Sequence, residues 1–237
     1  MNDYNNWLEE RTVLLGVSGS YAYNTYTDQS DKDYIGVCVP PESYFLGLDT
    51  FKEYNNSNGG NFKNTKDDVD IKIMHVLKFV QLAMSGAPQS LELLFLPEKH
   101  LLKVSDYGRE LLNNKHLFLS KEIKNKFGGF ARSQKSRFVK SEGENTKDLM
   151  HSVRLLEMAT ECFESGNLNV HRENREELLA IRNGKYSFKE SLQLLDELDQ
   201  RMNEAYFSSE LPEHPDREKI NALLMTLNLE AINSGLK

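Results

Sequence analysis

The sequence predicts an α+β fold, with a small mixed β-sheet and flanking helices followed by a C-terminal helical domain. Two short apolar runs of β type, residues 14–17 and 35–39, lie in the first forty residues. After Pro88 the apolar residues recur mainly at helical spacing. We therefore expect a sheet domain at residues 1–112 and a helical domain at residues 113–237.

The strands come first along the chain. Residues 14–17 form the first predicted strand, residues 21–26 a short helix or turn, and residues 35–39 a second strand that ends at two prolines. In residues 70–74 polar and apolar side chains alternate, which predicts a third strand. The pattern then becomes helical at residues 76–83.

Beyond Pro88 the pattern predicts helices only. The basic stretch at residues 121–140 is predicted to be a broken helix because Gly128 and Gly129 interrupt it. The expected segments are residues 90–96, 99–113, 121–140, 145–165, 175–182, a helix around 195–206 and a last helix around 220–227.

Composition excludes several classes of protein. No stretch approaches the roughly 18 apolar residues of a membrane helix, and the N-terminus lacks the basic and apolar regions of a secretory signal. Only two cysteines are present, so we expect a reduced, cytoplasmic setting. The net charge of −7 argues against a protein coated in nucleic acid, although residues 121–140 hold seven Lys or Arg against one Glu.

Acidic and small residues between the first two strands indicate phosphate chemistry. Asp31 and Asp33 are two residues apart, so on a strand their carboxylates share one face. Two carboxylates held together repel each other unless a divalent cation such as Mg²⁺ lies between them. Gly19 allows the backbone to approach a phosphate, and Ser20 can donate a hydrogen bond to it. The stretch therefore predicts a site for a metal and a triphosphate.

The same residues resemble a known signature. Gly19-Ser20, then ten residues, then Asp31-x-Asp33 is similar to the motif of the DNA polymerase β nucleotidyltransferase superfamily. Further segments resemble its RNA-ligase-associated branch, predicted nucleotidyltransferases of bacteria and phages. These segments are residues 19–41, 44–47, 78–79, 86–88, 91–94 and 151–156.

The resemblance implies a reaction and a set of residues. It implies transfer of a nucleoside monophosphate from a nucleoside triphosphate to a hydroxyl, with release of pyrophosphate and two Mg²⁺ ions, for which Mn²⁺ could substitute. Asp31, Asp33 and Asp70 would be the catalytic and metal-binding carboxylates, with Asp70 as general base. Asp68, two residues earlier on the same face, is the second choice for the third carboxylate. Gly19 and Ser20 would bind phosphates.

Three cationic side chains, Lys147, His151 and Arg154, are spaced by four and three residues and share one helical face. They form either a solvated face or a row that binds the nucleotide across a cleft. We include all three as candidate nucleotide-binding residues.

Two further segments have open interpretations. Phe127, Phe130 and Phe138 within the basic stretch either belong to the core or stack on nucleic-acid bases, and Arg132, Lys135 and Arg137 are its candidates for phosphate or RNA contact. Residues 55–66 form either a lid over the site or an ordinary exposed hairpin.

Several acceptors fit this chemistry. The first is an RNA 3′ end or a tRNA, and the alternatives are a protein side chain or a small molecule. A catalytically inactive nucleotide-sensing module is a different class, which the presence of all three candidate carboxylates disfavours. The sequence leaves open which nucleoside triphosphate is used and the oligomeric state.

Overall fold

The computed structural model of the protein describes residues 7–56 and 69–234. Within them, five strands form one mixed sheet in the order β3-β4-β2-β1-β5. The strands are β1 (Thr12–Ser18), β2 (Lys32–Cys38), β3 (Glu53–Asn55), β4 (Val69–His75) and β5 (Leu101–Val104).

Ten α-helices accompany this sheet in the described residues. The short α1 (Gly19–Ala22) directly follows β1, and the long α7 (Thr146–Ser165) is buried along much of its length. The others are α2 (Ser43–Leu46), α3 (Val76–Met84), α4 (Pro88–Leu94), α5 (Asp106–Asn113), α6 (Ile123–Lys140), α8 (Arg175–Arg182), α9 (Phe188–Ser208) and α10 (Arg217–Ser234). The fold is α+β, as the sequence predicts. No helix in the described part of the chain is both long and apolar enough to cross a membrane.

The sheet is antiparallel except at its centre. β1 pairs with β2 and β5 in antiparallel fashion, whereas β2 and β4 run parallel. Parallel strands place corresponding ends side by side. The N-terminal ends of β2 and β4 therefore lie together, next to the C-terminal end of β1.

Two buried clusters cover the two faces of the sheet. The larger one includes Val37 and Cys162 and extends from the sheet through the helices to Ala231. The smaller one contains Leu8, Cys38, Phe51 and Ile73. Because the larger cluster includes side chains from both halves of the chain, the division at residues 112 and 113 remains a prediction.

Both cysteines are buried, one in each cluster. Burial raises the pKa of the Cys38 thiol to about 12 and that of the Cys162 thiol to about 12. Both thiols are therefore protonated at neutral pH.

The prediction of helices only beyond Pro88 was wrong at residues 99–113. β5 occupies the first part of that segment and pairs with β1, with Val104 opposite Leu14. The Ser105 hydroxyl then accepts a hydrogen bond from the Gly108 amide (3.3 Å) and begins α5. Pairing with a distant strand outweighed the helical pattern of this short stretch.

The predicted break at Gly128-Gly129 was also wrong, because α6 continues through both glycines. A Cβ at Gly128 would lie 3.3 Å from the Met202 Cε of α9, so glycine permits the close packing of these two helices. A glycine inside a helix costs only about 1 kcal/mol, which tertiary packing can offset.

Candidate active site

Three polar residues stand side by side across the centre of the sheet. Ser18 of β1 lies opposite Asp33 of β2, and Asp33 lies opposite Asp70 of β4. Residues opposite each other on neighbouring strands point to the same face. All three line one cleft of about 770 Å³, a volume typical of small-molecule sites.

The predicted carboxylates interact electrostatically. Burial is the largest cause that raises the pKa of Asp33 to about 6, and the charges of Asp31 and Asp70 raise it further. The charge of Lys147, on α7, lowers it. Asp31 lies just before β2 and is near enough to Asp33 to influence its pKa, whereas Asp33 and Asp70 line the cleft.

A divalent cation fits the chemistry of this donor set. Hard cations prefer carboxylate oxygens, and a positive charge would relieve the repulsion that Asp31 and Asp70 exert on Asp33. Among residues 7–56 and 69–234, however, no three His, Cys, Asp or Glu side chains already stand in an arrangement that could hold a metal ion.

Gly19 lies directly against Asp33. Its φ of +58° is in the left-handed region, and a Cβ there would collide with Asp33 Oδ2. Glycine is therefore required both by the backbone and by the position of the carboxylate. Ser20 is half-buried in α1, and its carbonyl accepts a hydrogen bond from the Thr25 amide (2.8 Å). The cleft is lined by Ser18 and Gly19.

Arg154 lies deep in the opposite wall of the cleft, with only 4% of its surface exposed. Its Nη1 donates to Glu92 Oε1 (2.8 Å), and its guanidinium lies 3.5 Å from the centre of the Tyr23 ring. The Tyr23 hydroxyl donates to the other oxygen of Glu92 (2.8 Å). Arg154 thus joins α7 to α4 through a buried ion pair.

The three predicted cationic residues differ in exposure. Lys147 is exposed, His151 is partly buried and Arg154 is buried, so they do not form one solvated face. His151 and Arg154 line the cleft, and Lys147 is near enough to influence Asp33.

His151 lies among cations. Burial lowers the pKa of its imidazole to about 3, and the charges of Arg154, Lys147, Arg182 and Arg137 lower it further. At neutral pH the ring is therefore uncharged. The surrounding positive charge would favour an anion on this side of the cleft.

The low pKa of His151 predicts an acid-dependent loss of stability. Between about pH 6.5 and pH 3 the unfolded chain binds a proton at His151 that the folded protein does not, so stability falls as the pH falls through this range. His151→Gln should therefore lose less stability than the wild type on acidification. Urea midpoints measured between pH 7 and pH 4 check this.

The matched control for this titration is His214→Gln, because His214 is an exposed histidine. Because this imidazole lies 2.9 Å from Glu122 Oε1 rather than among cations, its removal should not reduce the loss of stability on acidification. Parallel profiles for His151→Gln and the wild type would contradict the prediction.

Two lysines that line the cleft were not proposed as site residues from the sequence. Lys72 and Lys78 contact Glu53 through their Nζ atoms at 3.5 and 3.0 Å. Lys72 follows Asp70 by two residues on β4, so strand alternation could have identified it. Ser18 could have been found by extending the first strand by one residue.

The basic helix α6 divides its aromatic residues between two environments. Phe127 and Phe138 are in the core, whereas Phe130 is 51% exposed and lines the cleft. The core interpretation therefore holds for Phe127 and Phe138, whereas stacking on bases stays a prediction for Phe130.

The three basic candidates of α6 also differ. Lys135 pairs with Asp196 (2.5 Å) and Arg137 with Asp148 (2.9 Å), while Arg132 is exposed. Of the predicted lid, Asn55 ends β3 and lines the cleft. Residues 57–66, and Asp68 as the second choice for the third acid, lie outside the described residues.

Comparison with known proteins gives a family model that matches nearly the whole chain. A family model described as the RNA repair pathway DNA polymerase beta family, RlaP, matches residues 2–226. An Enterobacteria phage T4 protein, described as an uncharacterized 38.9 kDa protein in the nrdC-mobD intergenic region, is 31% identical over 132 residues. That alignment covers 54% of this chain and 39% of the phage protein, so the chain spans less than half of this relative. A crystal structure of a nucleotidyltransferase-like protein from Exiguobacterium sibiricum aligns with 98% of this chain and 74% of its own, at 13% identity and a TM-score of 0.32.

Proposed function

Because the chain belongs to the RNA repair pathway DNA polymerase beta family, we propose that it is a nucleotidyltransferase that transfers a nucleoside monophosphate from a nucleoside triphosphate to a hydroxyl at an RNA end. The row of Ser18, Asp33 and Asp70 at one cleft is the observation that carries this proposal. The acceptor would be an RNA 3′ end or a tRNA.

Asp31, Asp33 and Asp70 are the residues that would hold two divalent ions, Mg²⁺ or Mn²⁺. When bound, such ions neutralise charge that develops on the phosphate oxygens and lower the pKa of an attacking hydroxyl. The coupling among the three acids supports this assignment.

The chain's own residues would position the reactants. In the reaction the acceptor oxygen forms a bond to the α-phosphorus, the bond to the β-phosphate breaks, and pyrophosphate leaves with its electron pair. Asp70 would accept the proton of the acceptor hydroxyl. Gly19 and Ser20 would bind phosphate oxygens beside Asp33.

The helical wall would hold the triphosphate. Lys147 and Arg154 would supply positive charge, and His151, whose ring is uncharged at neutral pH, is the third proposed nucleotide-binding residue. Arg154 Nε and Ser90 Oγ are, among the described residues, buried polar atoms without a hydrogen-bond partner, and both residues line the cleft. A bound nucleotide could supply partners for them. This arrangement makes residues 1–112 the proposed catalytic domain and 113–237 a helical domain that completes the cleft.

A labelling experiment tests the reaction and its acceptor together. The protein is incubated with each α-labelled nucleoside triphosphate, Mg²⁺ and a mixture of cellular RNA and protein. We expect label on RNA, which Asp33→Asn should abolish. Label on protein instead would support a protein side chain as acceptor, and nucleotide binding without transfer would support a sensing module.

A further inference from the structure

Phe130 is a half-exposed aromatic residue on α6. Phe127 and Phe138 on the same helix are 0% and 1% exposed, whereas Phe130 is 51% exposed. Its ring lines the cleft that holds the acids. An exposed aromatic face in a binding cleft is suited to stacking on a nucleobase.

Gln134 lies one helical turn beyond Phe130 and lines the same cleft. Its Oε1 accepts a hydrogen bond from Arg137 Nη2. Arg137 is itself held by both oxygens of Asp148, at 2.9 and 3.0 Å. Asp148 is buried and also accepts from Asn145 Nδ2 (2.7 Å).

This chain of contacts fixes the amide of Gln134. With Oε1 turned toward Arg137, the NH₂ group at the other end of the amide can donate to a ligand. An oriented amide beside an aromatic face supplies the two contacts that recognise a base, one to its ring and one to its edge. A phosphate would instead require positive charge, which neither of these two residues carries.

We propose that Phe130 and Gln134 form a nucleobase subsite on the α6 wall of the cleft, in which Phe130 stacks on the base and the Gln134 amide binds its edge. The subsite rests on the proposed function, because it assigns the base of a nucleotide that reacts at the acids. Its base belongs either to the incoming nucleoside triphosphate or to the last nucleotide of the RNA acceptor.

Equilibrium binding tests the subsite without turnover. Calorimetry would measure binding of the four non-hydrolysable α,β-methylene nucleoside triphosphates and, separately, of a short single-stranded RNA. For Phe130→Ala we expect affinity to fall about 10-fold or more, and for Phe130→Trp we expect it to be kept. Gln134→Met keeps the side-chain length and should reduce the difference in affinity among the four bases. Thermal midpoints verify that each variant is folded.

Matched controls come from α9. Phe207→Ala removes another exposed phenylalanine, and Gln193→Met removes an exposed glutamine, whose amide contacts Glu197. Both should bind like the wild type. If Phe130→Ala weakens triphosphate binding alone, the base is that of the incoming nucleotide, and if it weakens RNA binding alone, the base is that of the acceptor.

The subsite is refuted if Phe130→Ala and Gln134→Met bind both ligands within twofold of the wild type, or if the α9 controls weaken binding equally. Failure of the proposed function has a different signature. In that case no label is transferred by the wild type, although binding still depends on Phe130.

Discussion

Replacing Asp33 with Asn is expected to abolish nucleotide transfer and, in the absence of metal, to make the protein more resistant to heat. Asparagine keeps the shape of the side chain and removes its charge. Ionisation of Asp33 is opposed by burial and by the charges of Asp31 and Asp70, so the neutral residue relieves an unfavourable interaction in the folded state. In the proposed reaction the same charge would hold the cations.

The two effects can be measured separately. We expect kcat to fall by at least about 10³-fold, as for the loss of a preorganised electrostatic group, and the thermal midpoint in EDTA to rise by about 2 °C. Asp28→Asn is the control, because Asp28 is an exposed acid in the preceding turn, and it should change neither quantity. A variant that keeps more than a tenth of the activity, or that melts earlier than the wild type, would contradict this prediction.

Replacing Arg154 with Ala is expected to destabilise the fold by about 3–5 kcal/mol. The change leaves the Glu92 carboxylate buried without its cationic partner. The Tyr23 ring also loses the guanidinium that packs on it at 3.5 Å. The free energy of unfolding from urea titration measures the loss.

A double variant shows whether this cost comes from the uncompensated charge. Arg154→Met with Glu92→Gln removes both charges, keeps similar volumes and leaves an acceptor for the Tyr23 hydroxyl. It should recover at least about half of the stability that Arg154→Ala loses. The single variants Arg154→Met and Glu92→Gln complete the comparison. If their losses in unfolding free energy add up to the loss of the double variant, the ion pair is not the cause. Lys147→Ala is the control on the same helix, since an exposed residue there should change stability by less than about 0.5 kcal/mol.

Long periodic segments were predictable from the sequence. The range 175–182 was predicted with the bounds that α8 has, and 145–165 agrees with α7, whose N-terminus is capped by Asn145. β3 and β5 are only three and four residues long. Such short edge strands depend on pairing with distant residues rather than on their own pattern.

The sequence indicated three candidate acids for the site, but it could not indicate which residues from distant parts of the chain lie beside them. The spacing of Asp31 and Asp33 indicated one shared face, and the resemblance identified Asp70. Neither could show that Ser18 completes the row, because register between strands is a tertiary property. The burial of Arg154 was likewise hidden, because its partner Glu92 lies 62 positions away in the chain.

The two buried cysteines can report local unfolding of the protein. Only a thiolate reacts readily with an alkylating reagent, and neither sulfur can ionise or meet the reagent until its surroundings open. Cys38 lies in the smaller buried cluster and Cys162 in the larger one. The rate of alkylation at each position would therefore show whether the two regions open together or one before the other.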